Sequence, residues 1–204
     1  MQNDLFQPQA DTYLTIAEPT NATFRDKGSK FLAYAYPIQT ETEVKSYLEG
    51  LKKQYYDATH HCYAYLLGRN GENWRANDDG EPNHTAGTPI LNQIRSQNLT
   101  QVLVVVVRYY GGTKLGVSGL IHAYKTVTAL ALEKAQVVER VVRTPFAFHF
   151  DYLQMNDIMR LVKEYDLPIL AQTFENTCFI KLGVRLKDEV SVRRKLEDLG
   201  IETL

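Results

Sequence analysis

The residues best placed to do chemistry in this chain are four glycines, at 111, 112, 116 and 119, with Lys114 among them and Arg108 just before. Glycine lets the backbone come close to another group, and amides bared at a helix start attract oxyanions, more so beside cations. The segment from Gln101 to Leu120, QVLVVVVRYYGGTKLGVSGL, therefore predicts an anion or nucleic-acid site at Arg108, Gly111, Gly112, Lys114, Gly116 and Ser118, with Lys125 further along the following helix. The spacing GxxxGxxG from Gly112 matches neither the phosphate loop GxxxxGK[ST] nor the dinucleotide pattern GxGxxG, so no nucleotide cofactor is indicated. The alternative reading is that the glycines only allow a tight turn and close helix-to-sheet packing.

Other reactive types are less well arranged. Ser118 sits where a nucleophile elbow would, but GVSG is one residue short of GxSxG and no oriented base follows, so a hydroxyl at a helix start is the better reading. His60, His61 and Cys62 are adjacent, and neighbours in a strand point to opposite faces, which argues against a shared metal. The acidic loop Asp78, Asp79 and Glu81 fails the EF-hand register, because Arg75 stands where the first carboxylate belongs. A cleft cluster of His61, Asp79 and Glu81 is the basis of an alternative, a small-molecule hydrolase or transferase acting on a phosphorylated or carboxylated substrate. No catalytic residue, metal or cofactor is assigned.

These residues need a frame to position them. The apolar run before the glycines predicts a strand over 102–109 buried on both faces, and Leu120, Ala123, Val127, Leu130 and Ala131 mark one side of a helix running to about 135, with Tyr124 at its border. Upstream, strands are expected at Tyr13 to Ile16, around Phe24, and at Phe31 to Ile38, then a helix at 41–56 after Thr40. A strand from His61 to Leu67, a hairpin through Trp74 with a long acidic loop, and a helix at 87–97 follow. From Arg143 the texture changes: Phe146, Phe148, Phe150 and Tyr152 alternate with Ala147, His149 and Asp151, predicting a strand with one aromatic core face. A helix through Ile158 and Leu161, a strand from Cys178 to Leu186, and a last helix with Asp188 as N-cap and Gly200 as C-cap complete a ferredoxin-like α+β pattern. The expected division is 1–140 and 141–204.

The 204 residues are nearly balanced in charge, 23 basic against 24 acidic, but unevenly spread. Residues 95–143 carry a net +5, between stretches of −4 and −2, so the glycines fall in the only positive part of the chain. The N-terminus MQNDLFQPQADTY lacks the basic and apolar regions of a signal peptide, and no apolar run is long enough for a membrane span. A cytoplasmic protein is expected, with Cys62 and Cys178 as buried free thiols.

Four strings, KGSKF at 27–31, ATHHCYAYLLG at 58–68, DDGEPNHTAGTPIL at 78–91 and VVVVRYYGGTKLGVSGLIHAY at 104–124, resemble the YigZ/IMPACT family, and the aromatic C-terminal part is similar to the second domain of its bacterial members. This chain differs from the family's usual pattern at Asn83-His84, Ser118 and His122. The resemblance implies a first domain folded like the second domain of a small-subunit ribosomal protein, and a second like a C-terminal domain of elongation factor G. It implies RNA or the ribosome as partner and an IMPACT-type role in regulating translation, without the N-terminal partner-binding domain of the eukaryotic members.

Overall fold

A computed structural model describes residues 11–174 and 177–204; residues 1–10, which make up most of the stretch read above for a signal peptide, lie outside the described residues. The chain is mixed α+β with three separate sheets. It divides into two units, residues 13–140 and residues 11–12 with 141–204. Asp11 goes with the C-terminal unit because Arg185 Nε lies 2.8 Å from its carboxylate and the Val142 amide donates to its carbonyl.

The N-terminal unit runs β1 (Thr12–Ile16), β2 (Thr20–Asp26), β3 (Ser29–Pro37), α1 (Glu41–Gln54), β4 (His60–Leu67), β5 (Asn73–Asn77), α2 (Gly87–Ser96), β6 (Val102–Tyr109), α3 (Gly116–Glu133) and β7 (Val137–Val141). Five strands form one sheet in the order β2-β3-β6-β4-β5, every pairing antiparallel, while β1 and β7 make a separate pair that the apolar pattern did not reveal. Strand β6 is central and covered on both sides. Val102, Val104 and Val106 pack with Phe31, Cys62, Ile90 and Tyr124 in one core, and Leu103 and Val105 pack with Val44, Leu51 and Tyr65 in another. Helices α2 and α3 supply the first layer and α1 the second, so an unbroken apolar run arises here in an antiparallel sheet. Each fully buried side chain of this kind contributes roughly 1.5–3 kcal/mol. Helix α1 begins after Thr40, as expected, on a capping box: the Glu43 amide donates to Thr40 Oγ1 and the Thr40 amide to Glu43 Oε2.

The C-terminal unit runs β8 (Arg143–Phe150), α4 (Met155–Glu164), β9 (Ile169–Phe174), β10 (Cys178–Arg185) and α5 (Glu189–Asp198). Its antiparallel sheet has the order β8-β10-β9, the split arrangement expected of a ferredoxin-like unit. Phe146, Phe148 and Phe150 face the core with Ile180, Leu182, Val192 and Leu196. Tyr152 does not join them: Asp151 starts a 3-10 turn with its own capping box, and Tyr152 is 76% exposed. The strand predicted to reach Leu186 stops at Arg185, and Leu186–Asp188 form another 3-10 turn, so Asp188 caps α5 with no side-chain hydrogen bond. Gly200, at φ +70, does close the helix, with its own amide bonded to Glu197 and the Ile201 amide to Leu196. Of the basic run at 193–195, Arg193 lies over the Phe146 ring and donates to Thr203, and Lys195 pairs with Glu164. Among the described residues no helix is long and apolar enough to cross a membrane.

Candidate functional site

Arg108 is in phase with Val102, Val104 and Val106, so its side chain turns inward beneath α3. It is 4% exposed. Nη1 lies 2.5 Å from Glu81 Oε1, Nη2 3.3 Å from Ser29 Oγ, and the guanidinium packs against the rings of Phe31 and Tyr110. The same Glu81 oxygen accepts the Tyr124 hydroxyl at 2.7 Å, and the Cys62 thiol lies within donating reach of both the Asp78 carbonyl and the Tyr124 hydroxyl. Burial, the largest cause for each, pushes the Cys62 thiol and the Tyr124 hydroxyl well above their ordinary values, so both keep their protons and serve as donors. One buried ion pair thus ties together β3, β4, the acidic loop, β6 and α3. Arg108, expected to face an anion, is already neutralised by an internal carboxylate and has no surface to offer; this corrects its assignment.

The proposed cluster of His61, Asp79 and Glu81 is not assembled. His60, not His61, shares the face of Cys62 and Ala64, and its Nε2 lies 3.9 Å from Glu81 Oε2. The His61 side chain points to the opposite, α1-facing side, where burial above all holds its ring below the ordinary value, opposed by the charge of Asp79. Asp79 accepts the backbone amide of His61 at 2.6 Å, and Asp78 accepts the amides of His84, Ala86 and Gly87, closing the start of α2. The acidic loop is therefore an internal cap, not a solvated turn. Among the described residues, no three His, Cys, Asp or Glu side chains gather as metal ligands.

Beyond Arg108 the chain emerges into solvent at the glycines. Gly111 serves close packing: a Cβ there would lie 1.9 Å from the carbonyl carbon of Gly28, in the turn between β2 and β3, and its amide donates to Ser29 Oγ. Gly112 and Gly116 have φ +84 and +74 with open space around them, so there the backbone turn itself requires glycine. Helix α3 starts without a side-chain cap or an acidic first turn, leaving its leading amides, Ser118 included, at an exposed end. Lys114 is exposed beside it. Because Gly28 touches Gly111, the β2–β3 turn brings Lys27, next to Gly28, to this end; Arg25 and Lys30 line up with Tyr109 on the face of the sheet opposite Arg108 and α3. None of Arg25, Lys27, Lys30 and Lys114 forms an ion pair among the described residues. Lys125 stands apart, about 14 Å along α3 from Gly116 at 1.5 Å per residue, in a groove shared with α2.

Sequence reasoning passed over Ser29, Cys62, Asp78 and Tyr124 as partners, and Lys27 as a neighbour of the turn. Counting by twos from Cys62 would have singled out His60, but the rest depends on pairings distant in sequence.

Residues 27–132, a span holding every member of the buried network, match the Impact N-terminal domain. The chain is 36% identical over 153 residues to the IMPACT family member YvyE of Bacillus subtilis, covering 75% of this chain and 70% of that one. It is 27% identical over 192 residues to the IMPACT family member YigZ of Escherichia coli, covering 93% and 94%. A crystal structure of a hypothetical protein superposes with a TM-score of 0.74 at 27% identity, over 95% of this chain and 97% of the other. With its four motif strings joined through one buried ion pair and its relatives matched over most of its length, this chain belongs to the IMPACT family.

Proposed function

We propose that this chain is an RNA-binding or ribosome-binding protein acting in translational control, with RNA phosphates held at the glycine turn. The observation that carries this reading is the two exposed cations without an ion pair among the described residues, Lys27 and Lys114, beside the contact of Gly28 with Gly111. The open amides of Gly112, Gly116 and Ser118 complete the anion site. Arg108 acts from behind, fixing the loop without touching the ligand. Phosphate contacts of this kind give affinity with little sequence preference. The ribosomal-protein-like and elongation-factor-like folds implied by the family motifs point to the same class of partner.

The test is fluorescence anisotropy with a labelled single-stranded RNA 12-mer of mixed sequence, and a duplex of the same length, against Lys27→Ala, Lys114→Ala and Lys125→Ala. Lys27→Ala and Lys114→Ala should each weaken binding similarly for all sequences, while Lys125→Ala leaves it unchanged. Absent binding, or equal binding by all three variants and the parent, would refute the assignment.

A further inference from the structure

Away from the glycine turn, α2 and α3 lie side by side and leave an open groove of about 640 Å³, within the size range of binding sites. Thr88, Asn92, Gln93 and Ser96 line it from α2, and Ile121 and Lys125 from α3. Ile121 is 38% exposed, and Val117, one turn earlier on the same stripe, is 59% exposed. Large apolar side chains left in water at helical spacing are what helix-in-groove recognition uses as a seat.

The charge around this seat has one sign. No Asp or Glu occurs from residue 82 to residue 132, so neither helix carries an acid before Glu133 at the end of α3. The charge in the groove itself is Lys125, with Lys114 before α3, while Arg95 of α2 packs over the ring of Trp74. An anionic occupant is favoured. A polynucleotide would use the lysines but would gain little from Val117 and Ile121, whereas an amphipathic helix edged with carboxylates uses both. We propose that the groove between α2 and α3 docks an acidic amphipathic helix of a partner protein, its apolar residues on Val117 and Ile121 and its carboxylates on Lys125. The RNA reading uses the glycine loop and the first amides of α3, beside Val117, whereas the peptide seat extends along α3 to Lys125.

A display library of random 16-residue peptides, selected on the full chain and counter-selected on Ile121→Ser, tests it. Enriched peptides should be rich in Asp and Glu with apolar residues at i, i+3, i+4 and i+7. A synthetic peptide from that set should shift the amide resonances of Asn92, Ile121 and Lys125 but not those of Gly112 and Lys114. Ile121→Ser and Lys125→Glu should each weaken it by about tenfold or more, while Lys27→Ala leaves it unchanged. Both substituted side chains reach solvent, and amide spectra confirm that the variants fold. The proposal is overturned if nothing is enriched over the counter-selection, if the enriched peptides are neutral or basic, or if the RNA 12-mer shifts the same groove amides.

Discussion

Replacing Glu81 by alanine leaves Arg108 buried with no counter-charge, its Nε already without a hydrogen-bond partner, and takes the acceptor from Tyr124. Removing one member of a buried ion pair costs about 3–5 kcal/mol. At roughly 2–4 °C per kcal/mol for a chain of this size, the transition midpoint should fall by roughly 6–20 °C. Trp74 is the only tryptophan and lies on β5, so its fluorescence during urea or thermal unfolding reports the N-terminal unit alone. Arg108→Met should cost about as much, since it strands Glu81 instead. The double variant Glu81→Leu with Arg108→Met removes both charges, so its loss should be well below the sum of the two, with a coupling of about 2 kcal/mol or more. Some loss remains, because the buried Tyr124 hydroxyl loses the acceptor for its proton, at about 1–3 kcal/mol, while Ser29 keeps the Gly111 amide and Tyr124 keeps the Cys62 thiol. If Glu81→Ala unfolds within about 1 kcal/mol of the parent, or the two losses simply add, the pair is not the tie described here.

Gly111→Ala should destabilise the N-terminal unit by about 3 kcal/mol or more in denaturant titration, because its methyl would strike the backbone of Gly28 and Ser29 rather than a flexible side chain. Gly50→Ala, inside α1 with nothing within 4 Å, should stabilise by about 0.5–1 kcal/mol in the same assay. His61 holds its proton less firmly when folded than its ordinary value near 6.5, so the folded state binds fewer protons than the unfolded one below that pH. Its contribution is therefore complete above about pH 6.5 and is lost as pH falls through and below it; His61→Gln should flatten that part of the stability profile measured by urea unfolding. Cys62 and Cys178 are both buried, and the Cys62 thiol is held protonated, so a thiol reagent should label them only at the rate of unfolding.

What could be read from residues alone follows their periodicity. The run from Val102 to Val107 announced burial on both faces, and Phe146 to Phe150 announced one core face, because alternation fixes the side on which each residue falls. The pattern misled at Tyr152, where the Asp151 capping box ends the strand, a local signal that the alternation masks. Strand β9 is exposed at every position and β7 nearly so, which leaves neither an apolar period to detect. The glycines marked the turn correctly, but Gly111 is small because Gly28 presses on it from another hairpin, and no local pattern carries that. Likewise Arg108 looked like a free cation beside glycines; its partner Glu81 lies on a loop 27 residues earlier, and only the fold closes that distance. The net positive charge of the segment was legible, whereas Lys27, which joins it from the β2–β3 turn, depends on tertiary packing.

The most direct test of the central claim, a phosphate site built from the glycine turn and the neighbouring β2–β3 turn, is the salt dependence of RNA binding. Two cations, Lys27 and Lys114, engaging two phosphates of a single strand give a slope of log affinity against log salt of about −1.4, a loss of roughly sevenfold between about 50 and 200 mM. Lys114→Ala should reduce the slope to about −0.7. A slope near zero, or one that Lys114→Ala leaves unchanged, would contradict the account.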